Sequence, residues 1–290
     1  MRKISKVGFI GLGMMGAPMA TCLVRAGYEM LLQDADKART RDLCARLGSR
    51  ALTKETLDDC DVLITMLPNS DIVEEVLLHN GWASALPRDA VVVDMSSSVP
   101  MRSRQLAGEV AAMGLHWLDA PVSGGVNRAA EGQLAIMVGG EPQVLAHCSA
   151  LLNGMGRSVL HIGGAGAGHA AKALNNFVSA AGLAATVEAL HVAQRFGIEP
   201  TVMTDVLNAS TGRSNTSENK VKQFMLNGRF DSGFALKLMD KDLHIAQALA
   251  EDVGYAMTLG RSCTALWHDA AAKATAATDH TEMYRLLADE

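Results

Sequence analysis

The sequence predicts an α/β fold in its N-terminal half and an all-α fold in its C-terminal half, joined through a long interdomain helix. In the first half, short apolar runs alternate with helical patterns up to about residue 163. These runs lack polar alternation, which is typical of parallel strands covered on both faces. Beyond them the sequence becomes Ala-rich and helical, without a further convincing strand. Together these observations predict a doubly wound parallel sheet followed by a helical domain.

Apolar periodicity, interrupted by glycines, places the individual elements. The predicted strands cover residues 7–10, 28–32, 62–67, 90–94, 115–119, 135–139 and 159–162. Predicted helices of the first half include 18–25, 38–47 and 72–78. The second half begins with a long helix over 170–194 and continues with helices over 202–207, 219–226, 234–251, 262–274 and 281–288. A glycine-rich stretch precedes the long helix, so we predict domains over 1–163 and 164–290.

Length, charge and cysteine usage exclude several classes of function. A chain of 290 residues is too long for one ordinary core but suits two domains. The formal net charge of −5, with both signs interspersed, offers no basic face to a nucleic acid. Five cysteines lie far apart without a C-x-x-C pair or Cys/His cluster, so neither a metal site nor a disulfide framework is predicted. The expected partner is therefore a small molecule.

The sequence predicts a cytoplasmic protein without a membrane segment. Its N-terminus carries only a short apolar run that reaches Gly11, with no small-residue cleavage site behind it. No stretch approaches the roughly 18–20 apolar residues that a membrane helix needs. The separated cysteines are typical of buried thiols in a reducing compartment.

The run Gly11-Leu12-Gly13-Met14-Met15-Gly16 is a G-x-G-x-x-G loop between the first predicted strand and the first predicted helix. Gly11 permits a tight turn, Gly13 lets backbone N–H groups approach a pyrophosphate, and Gly16 lets the helix pack against the strand. The positive end of the helix then faces the phosphates. A glycine turn without a ligand is the alternative. In this context the motif predicts a Rossmann dinucleotide-binding domain over residues 1–163.

Asp34 ends the second predicted strand, 18 residues after Gly16. A carboxylate at this position accepts hydrogen bonds from the adenosine ribose hydroxyls, and its charge repels the 2′-phosphate of NADP. Lys37 and Arg39 follow closely and could instead form a basic pocket for that phosphate. Asp34 could also simply begin the next turn, where Asp is common. The pattern favours NAD, with NADP as the alternative.

Four ordered motifs extend over essentially the whole chain. The first continues the glycine loop as GLGMMGAPMA at 11–20, and the second is DAPVSGG at 119–125, followed by GQL and MVGG. The third is GAG at 166–168 followed by KALNN at 172–176, and the fourth is KDL at 241–243. On these motifs the chain resembles the β-hydroxyacid dehydrogenases, which include 3-hydroxyisobutyrate dehydrogenase, tartronate semialdehyde reductase and the glyoxylate/succinic semialdehyde reductases.

This resemblance implies a role for each motif. The lysine matching Lys172 is the catalytic acid/base, the asparagine matching Asn176 positions the substrate, and the loop matching Ser123-Gly124-Gly125 binds the substrate carboxylate. Asp242 is expected to be structural. The residues implied to line the cofactor site are Gly11, Leu12, Gly13, Met14, Met15 and Gly16 of the glycine loop, together with Leu67, Pro68, Ser97 and Lys241.

The implied catalytic residues suit hydride transfer. Oxidation of a β-hydroxyacid sends a hydride to nicotinamide, while the hydroxyl proton must go to a base. A lysine can accept it when burial disfavours the ammonium form. Lys172 lies in the first turns of the long helix, where the helix dipole also disfavours a cation, and Asn176 projects from the same face at i+4. Without the resemblance, Lys172 would be interpreted as a solvated surface lysine.

The substrate is expected to be acidic. Ser123-Gly124-Gly125 can expose consecutive backbone N–H groups to a carboxylate, although a plain strand-to-loop turn is the alternative. Arg213 could add a bidentate contact to a second acidic group, against the alternative of a surface loop arginine. His169, near Lys172, is expected to have a capping or solvent role. The particular hydroxyacid or semialdehyde and the direction of the reaction in the cell stay open.

Three functions are compatible with these motifs. The first is an NAD(P)-dependent oxidoreductase that acts on a small β-hydroxyacid or the corresponding semialdehyde. An imine reductase shares the architecture but usually lacks the motif lysine, so Lys172 argues against it. A non-catalytic dinucleotide-binding sensor should have lost Lys172 or Asn176, and both are present. The Ala-rich helix and the apolar C-terminal helices predict packing between subunits, as a homodimer or a homotetramer.

Overall fold

The structure, a computed structural model, describes residues 3–288 and confirms the α/β arrangement of the N-terminal half. One sheet contains all the strands of these residues. The strands are β1 Lys6–Ile10, β2 Glu29–Gln33, β3 Arg50–Ala51, β4 Val62–Thr65, β5 Val91–Asp94, β6 His116–Asp119, β7 Val122–Ser123, β8 Leu134–Gly140 and β9 Gly156–Gly163. All seven predicted strands are present, whereas the two-residue strands β3 and β7 were not predicted.

The sheet order is β3-β2-β1-β4-β5-β6-β8-β7, and β9 pairs with β8. The strands from β3 to β6 in this order are parallel, as predicted. However, β8 runs antiparallel to both β6 and β7, so the predicted parallel sheet is mostly, and not wholly, parallel. The reason is that β7 follows β6 after two residues, and the chain then turns back through a short helix at Gly125–Ala130, so that β8 pairs antiparallel with β7. An apolar run such as 135–139 carries no information about its direction.

Both faces of this sheet are covered by helices. They are α1 Gly16–Arg25, α2 Lys37–Leu47, α3 Ser70–Glu74, α4 Pro100–Ala112, α5 Gly125–Ala130 and α6 Pro142–Asn153, with a 3₁₀ helix at Lys54–Asp59 and a π-helical turn at Glu75–His79. Successive strand residues belong to opposite apolar cores: Phe9 and Ile64 pack in one, and Ile10 and Leu63 in the other. All four side chains are fully buried. This two-sided burial explains why the strands lack polar alternation.

A second compact unit begins at Ala173 and is helical. Its helices, together with the long helix that leads into it, are α7 Ala167–Phe196, α8 Pro200–Ala209, α9 Asn215–Asn219, α10 Leu236–Asp252, α11 Thr258–Ala272 and α12 Met283–Leu286. Its core packs the fully buried Trp267 against apolar residues of several helices, including Leu183 of α7 and Leu243 of α10. The division between the two compact units falls within α7, after Lys172, whereas the sequence analysis placed a domain boundary at residue 163.

Local capping explains two helices that differ from the prediction. The helix predicted over 219–226 is interrupted, because Ser214 and Ser217 form a capping box that starts α9 earlier and Lys220 leaves the helical conformation with φ −125°. A π-helical turn at Val221–Met225 follows. The helix predicted over 281–288 begins with a 3₁₀ turn, which the Asp279 side chain caps.

Among the described residues, α7 is the one helix that is long and apolar enough to cross a membrane by length and composition alone. Core helices of soluble proteins pass the same test. Within α7, Ala180, Leu183, Val187 and Leu190 are buried in the core of the helical unit.

The carboxylate of Asp279 ties together two segments of the helical unit. It accepts hydrogen bonds from the backbone N–H of Gly233 at 2.9 Å and from the Thr281 hydroxyl at 2.6 Å. The next residue, His280, is buried and its Nδ1 lies 3.0 Å from the carbonyl oxygen of Phe234. Burial, and then the nearby charge of Lys220, lower the pKa of His280 to about 4. The segment before α10 is therefore held by a neutral imidazole at neutral pH.

Replacing His280 with Gln should weaken the dependence of stability on pH. An unfolded histidine has a pKa of about 6.5. The folded protein therefore binds a proton at His280 less readily than the unfolded chain does. The stability that the neutral ring contributes is fully present above the unfolded pKa and is lost as pH falls towards the folded pKa of about 4. Between about pH 7 and about pH 4.5, the free energy of unfolding from urea titrations should fall more steeply in the wild type than in His280→Gln. Replacement of the exposed His79 by Gln should reproduce the wild-type slope, and equal slopes in wild type and His280→Gln would contradict the prediction.

Candidate active site

Four parallel strands end at the same edge of the sheet. In the hydrogen-bonded register, Ile10 of β1 lies opposite Thr65 of β4. Thr65 lies opposite Asp94 of β5, which lies opposite Asp119 of β6. From β1 the chain goes to β2 on one side, while β4 lies on the other. In doubly wound sheets, ligands bind outside the carboxyl ends of the strands at such a switch point.

The three glycines of the loop after β1 meet different constraints. Gly11 has φ +99°, and a Cβ on it would overlap the carbonyl oxygen of Met66. A Cβ on Gly16 would overlap the carbonyl oxygen of Gly11. By contrast, a Cβ on Gly13 would meet no heavy atom within 4 Å. Gly11 and Gly16 are therefore required by the fold itself, whereas Gly13 leaves open space above the loop.

The start of α1 is suited to an anion. Met15 precedes the helix and makes no side-chain capping hydrogen bond, and the first turn contains no acidic residue. The side chain of Met14 points outwards and is 75% exposed. Uncapped N–H groups at a helix N-terminus bind phosphates through hydrogen bonds and the helix dipole. Together with the open space at Gly13, these features fit the pyrophosphate of a dinucleotide.

Asp34 connects the second strand to the glycine loop. One carboxylate oxygen, Oδ2, accepts the backbone N–H of Leu12 at 2.7 Å, and Oδ1 accepts the backbone N–H of Asp36 at 2.9 Å. Nη1 of Arg39 lies 3.4 Å from Oδ1. The side chain of Asp34 is 10% exposed, while that of Arg39 is 49% exposed. Asp34 thus both begins a turn and holds the loop, a role that the sequence did not reveal.

The loops after β4 and β5 lie at the same edge and contact each other. Leu67 follows β4, and its backbone N–H donates to the hydroxyl of Ser96 at 2.9 Å. Pro68 is exposed and Ser97 is half-buried. The structure thus brings Leu67, Pro68 and Ser97, all predicted to line the cofactor site, to the edge where the glycine loop lies. Ser96, rather than Ser97, makes the contact between the two loops.

A buried polar network, which the sequence analysis missed, fixes the ends of β5 and β6. The Asp94 carboxylate accepts the hydroxyls of Thr65 at 2.9 Å and Ser98 at 2.8 Å. The Asp119 carboxylate accepts the backbone N–H groups of Gly166 at 2.7 Å and His169 at 3.1 Å. Both carboxylates are buried, so these bonds replace lost hydration. They attach the start of α7 to the end of β6.

His169 belongs to this network, and the expectation of a solvent role for it is wrong. Its side chain is buried. Nε2 lies 3.1 Å from the carbonyl oxygen of Ser96, and Nδ1 lies 2.7 Å from the hydroxyl of Ser103. The carbonyl oxygen accepts from Nε2, and the Ser103 hydroxyl pairs with Nδ1. His169 therefore links α7 to α4 and to the loop after β5.

Lys172 and Asn176 lie one turn apart on α7, and both are buried. Lys172 is 8% exposed, so the alternative of a solvated surface lysine is wrong. Nδ2 of Asn176 donates to Oδ2 of Asp242 at 2.6 Å. Asp242 is itself 2% exposed and lies next to Lys241 on α10. This hydrogen bond orients the amide of Asn176, and only the folded chain reveals it.

The residues proposed for substrate recognition lie in two different settings. Ser123 ends β7, and the two glycines after it have φ +139° and +71°, conformations that other residues rarely adopt. A Cβ on Gly125 would meet no heavy atom within 4 Å, so this backbone is open to a ligand. Arg213 lies in the loop after α8, is 63% exposed and pairs with Glu218 at 3.6 Å. Their roles in substrate binding stay predictions.

Alanine substitutions in the glycine loop should separate nucleotide binding from folding. Gly13→Ala should leave the urea midpoint unchanged but weaken NADH binding about tenfold or more, because its Cβ enters the open space above the loop. Gly16→Ala should lower the free energy of unfolding by about 1–3 kcal/mol, because its Cβ overlaps a backbone carbonyl. Gly108→Ala, on an exposed position of α4 without close neighbours, is the control: it should leave NADH binding unchanged and, as a Gly→Ala change inside a helix, should not lower the free energy of unfolding. Unchanged NADH affinity in Gly13→Ala would exclude the loop as the phosphate site.

Two family models together span nearly the whole chain. Residues 6–163 match the NAD binding domain of 6-phosphogluconate dehydrogenase. Residues 166–287 match the model described as NAD-binding of NADP-dependent 3-hydroxyisobutyrate dehydrogenase. These matches confirm that the N-terminal domain binds a nicotinamide cofactor.

Individual relatives agree with the family models. The chain is 37% identical over 249 residues to 2-(hydroxymethyl)glutarate dehydrogenase of Eubacterium barkeri, covering 85% of this chain and 82% of the relative. It is 34% identical over 293 residues to the mitochondrial 3-hydroxyisobutyrate dehydrogenase of Bos taurus, covering 98% and 87%.

Solved structures resemble this chain to different degrees. The structure of Mycobacterium tuberculosis 3-hydroxyisobutyrate dehydrogenase with L-serine is 31% identical, has a TM-score of 0.91, and covers 98% of this chain and 99% of its own. An imine reductase from Myxococcus stipitatus in complex with NAD⁺ also covers 99% of this chain, but at 18% identity and a TM-score of 0.67 it shares the fold alone. The chain therefore belongs to the β-hydroxyacid dehydrogenase family, whose members are NAD(P)-dependent hydroxyacid dehydrogenases.

Proposed function

We propose that this protein transfers a hydride between NAD and a small β-hydroxyacid or its semialdehyde, with Lys172 as the general acid/base. The observation that carries the proposal is the pair of buried polar side chains on α7. Lys172 is 8% exposed, and Asn176, one turn further on, is held by the buried Asp242. A lysine side chain is rarely buried without a reason, because removing an ammonium from water is costly.

Each residue then has a defined part in the oxidation. Bound NAD supplies a hydride acceptor at C4 of its nicotinamide. Nζ of Lys172 takes the hydroxyl proton as the carbonyl forms, and returns it when the reaction runs as a reduction. A buried lysine holds an uncharged amine more readily than a solvated one, as this step requires. Asn176, fixed by Asp242, holds the reacting oxygen close to Lys172.

A carboxylate on the substrate would bind the loop formed by Ser123, Gly124 and Gly125. Both glycines lack a side chain and have positive φ angles, and a Cβ on Gly125 would meet no heavy atom within 4 Å, so this backbone can approach an anion closely. The relatives act, by name, on 3-hydroxyisobutyrate and on 2-(hydroxymethyl)glutarate, and both compounds carry a hydroxymethyl group beside a carboxylate. The latter is a dicarboxylate, for which Arg213 would supply a second contact.

Arg213→Ala should raise KM for a dicarboxylic substrate, and an unchanged KM would remove this residue from the proposal.

The two alternatives differ from this proposal in what they predict for turnover. An imine reductase would reduce cyclic imines and show no activity with hydroxyacids. A dinucleotide-binding sensor would bind NADH without turnover of any substrate. The family relation and the presence of Lys172 and Asn176 support the dehydrogenase.

We also propose that the protein is a cytoplasmic homodimer or homotetramer. Four large apolar side chains on α7 are exposed in the single chain: Leu174, Val178, Val192 and Phe196, the last to 82%. Burying these side chains against a second copy of the chain would be more favourable than leaving them in contact with water. Light scattering during size-exclusion chromatography tests this, and a monomeric mass would contradict it.

Lys172→Met should abolish turnover while preserving cofactor binding. Methionine matches the length of the buried stem but cannot carry the proton, and general acid–base catalysis contributes about 10²- to 10⁴-fold to rates. The rate constant kcat, followed at 340 nm over a panel of β-hydroxyacids and semialdehydes, should therefore fall by about 10²-fold or more. NADH affinity, measured by its fluorescence, should stay at the wild-type value. A kcat within threefold of wild type would reject Lys172 as the acid/base.

Asp34→Asn should reduce the preference for NADH over NADPH. The neutral amide retains an acceptor oxygen for the Leu12 N–H but loses the charge that repels a 2′-phosphate. The ratio of the NADPH and NADH dissociation constants should exceed one in the wild type and approach it in Asp34→Asn. Arg39→Ala is the matched control, because it removes the neighbouring guanidinium and should leave NADH affinity unchanged. Tighter NADPH binding by the wild type, lost in Arg39→Ala, would show that the cofactor is NADP.

A further inference from the structure

A carboxylate and two imidazoles come together where α10 packs against α11. Asp240 and His244 lie one turn apart on α10, and His268 lies on α11. The two imidazole rings meet edge to face, with their centroids 5.3 Å apart and an interplanar angle of 75°. These residues have no part in the proposed hydride transfer. Spacing along the chain does not indicate the cluster, because His268 lies far from the other two residues in the sequence.

The spacing of the three side chains matches a metal site. Nδ1 of His244 lies 3.3 Å from Oδ1 of Asp240, and Nδ1 of His268 lies 3.5 Å from Oδ2. One ligand atom from each of the three residues lies within 4.8 Å of the others. Zinc binds N and O ligands at about 2.0–2.2 Å, so neighbouring ligands of a tetrahedral ion are about 3.4 Å apart. Little movement is needed for the three groups to bind one ion.

The carboxylate of Asp240 supplies an independent observation that points to a cation. Its Oδ1 atom is buried and has no hydrogen-bond partner among the described residues. Nδ1 of His244 is 3.3 Å from this Oδ1 atom, but it lies closer to the backbone carbonyl oxygen of Asp240, at 2.9 Å. A buried carboxylate oxygen without a donor is costly, and a bound cation would remove that cost.

The donor set selects the class of ion. Two imidazole nitrogens and one carboxylate suit zinc and neighbouring first-row transition metals. Mg²⁺ and Ca²⁺ prefer oxygen ligands and do not match this set. Three protein ligands leave a fourth position for water. Because the side chains of His244 and His268 are 50% and 62% exposed, an ion can reach the site from solvent.

We propose that Asp240, His244 and His268 form a binding site for a divalent transition-metal ion, with zinc as the probe, which cross-links α10 to α11. The proton that Nδ1 of His244 shares with the Asp240 carbonyl oxygen would leave on binding through that atom. The metal ion and this proton therefore compete for Nδ1 of His244. This competition and the solvent exposure of both rings favour a site that exchanges its ion over a permanent structural site. A bound ion would stabilise the helical unit by joining two of its helices.

Zinc binding to the full-length protein tests the proposal. After treatment with EDTA and removal of the chelator, equilibrium dialysis should find one zinc ion per chain in the wild type. His268→Ala and Asp240→Asn each remove one ligand, which should lower affinity by more than the roughly 10- to 100-fold caused by loss of an outer-shell partner. Zinc should raise the Tm of the wild type but not that of His268→Ala. His268 is largely exposed, so this variant should fold normally.

The chain offers a matched control in His79, which also pairs with a carboxylate four residues earlier, Glu75, at 3.1 Å. His79→Ala should bind zinc like the wild type. Cobalt bound to the wild type should show d–d absorption without a sulfur-to-cobalt charge-transfer band, which excludes the five cysteines as ligands. Equal zinc affinity in wild type and His268→Ala, or no saturable binding to the wild type, would overturn the proposal.

Discussion

The buried carboxylate of Asp119 determines where the long helix begins, and the candidate active site depends on that position. It accepts the backbone N–H groups of Gly166 and His169, which have no partners within the helix. Each residue of an α-helix turns by about 100°, so a start shifted by one residue would rotate Lys172 away from its present direction. His169 reinforces the junction through hydrogen bonds to Ser96 and Ser103. A buried polar network therefore orients the proposed catalytic residue.

The same edge of the sheet carries the cofactor loop because four parallel strands end there in register. Two of the loop glycines are required by close backbone contacts, and the third leaves space for a ligand. Asp34 adds a link that fold-level reasoning does not suggest, because one carboxylate holds the loop through Leu12 while it lies beside the expected ribose position. The residue expected to favour NAD is therefore also the one that holds the loop.

Sequence patterns predicted most elements, because burial on both faces of a sheet leaves short apolar runs and burial on one face of a helix leaves a helical period in the chain. They did not predict the reversed direction of β8, since an apolar run reads the same in both directions. Nor did they predict the contact of Asn176 with Asp242, or the cluster of Asp240, His244 and His268. No metal site was predicted, because ligands of a metal are recognisable in a sequence only when they lie at short spacing. These partners lie on different helices, and only packing brings them together.

By itself, the sequence determined the α/β and all-α halves, the glycine loop and the family, because these depend on local periodicity and on contiguous motifs. The tertiary structure decided which polar groups are buried and which partners they have. It placed Lys172 and His169 out of solvent, assigned Asp34 to the glycine loop, and left Oδ1 of Asp240 without a hydrogen-bond donor among residues 3–288. The physical reason is that burial and hydrogen bonding depend on residues distant in the chain, which become neighbours only after the strands and helices have packed.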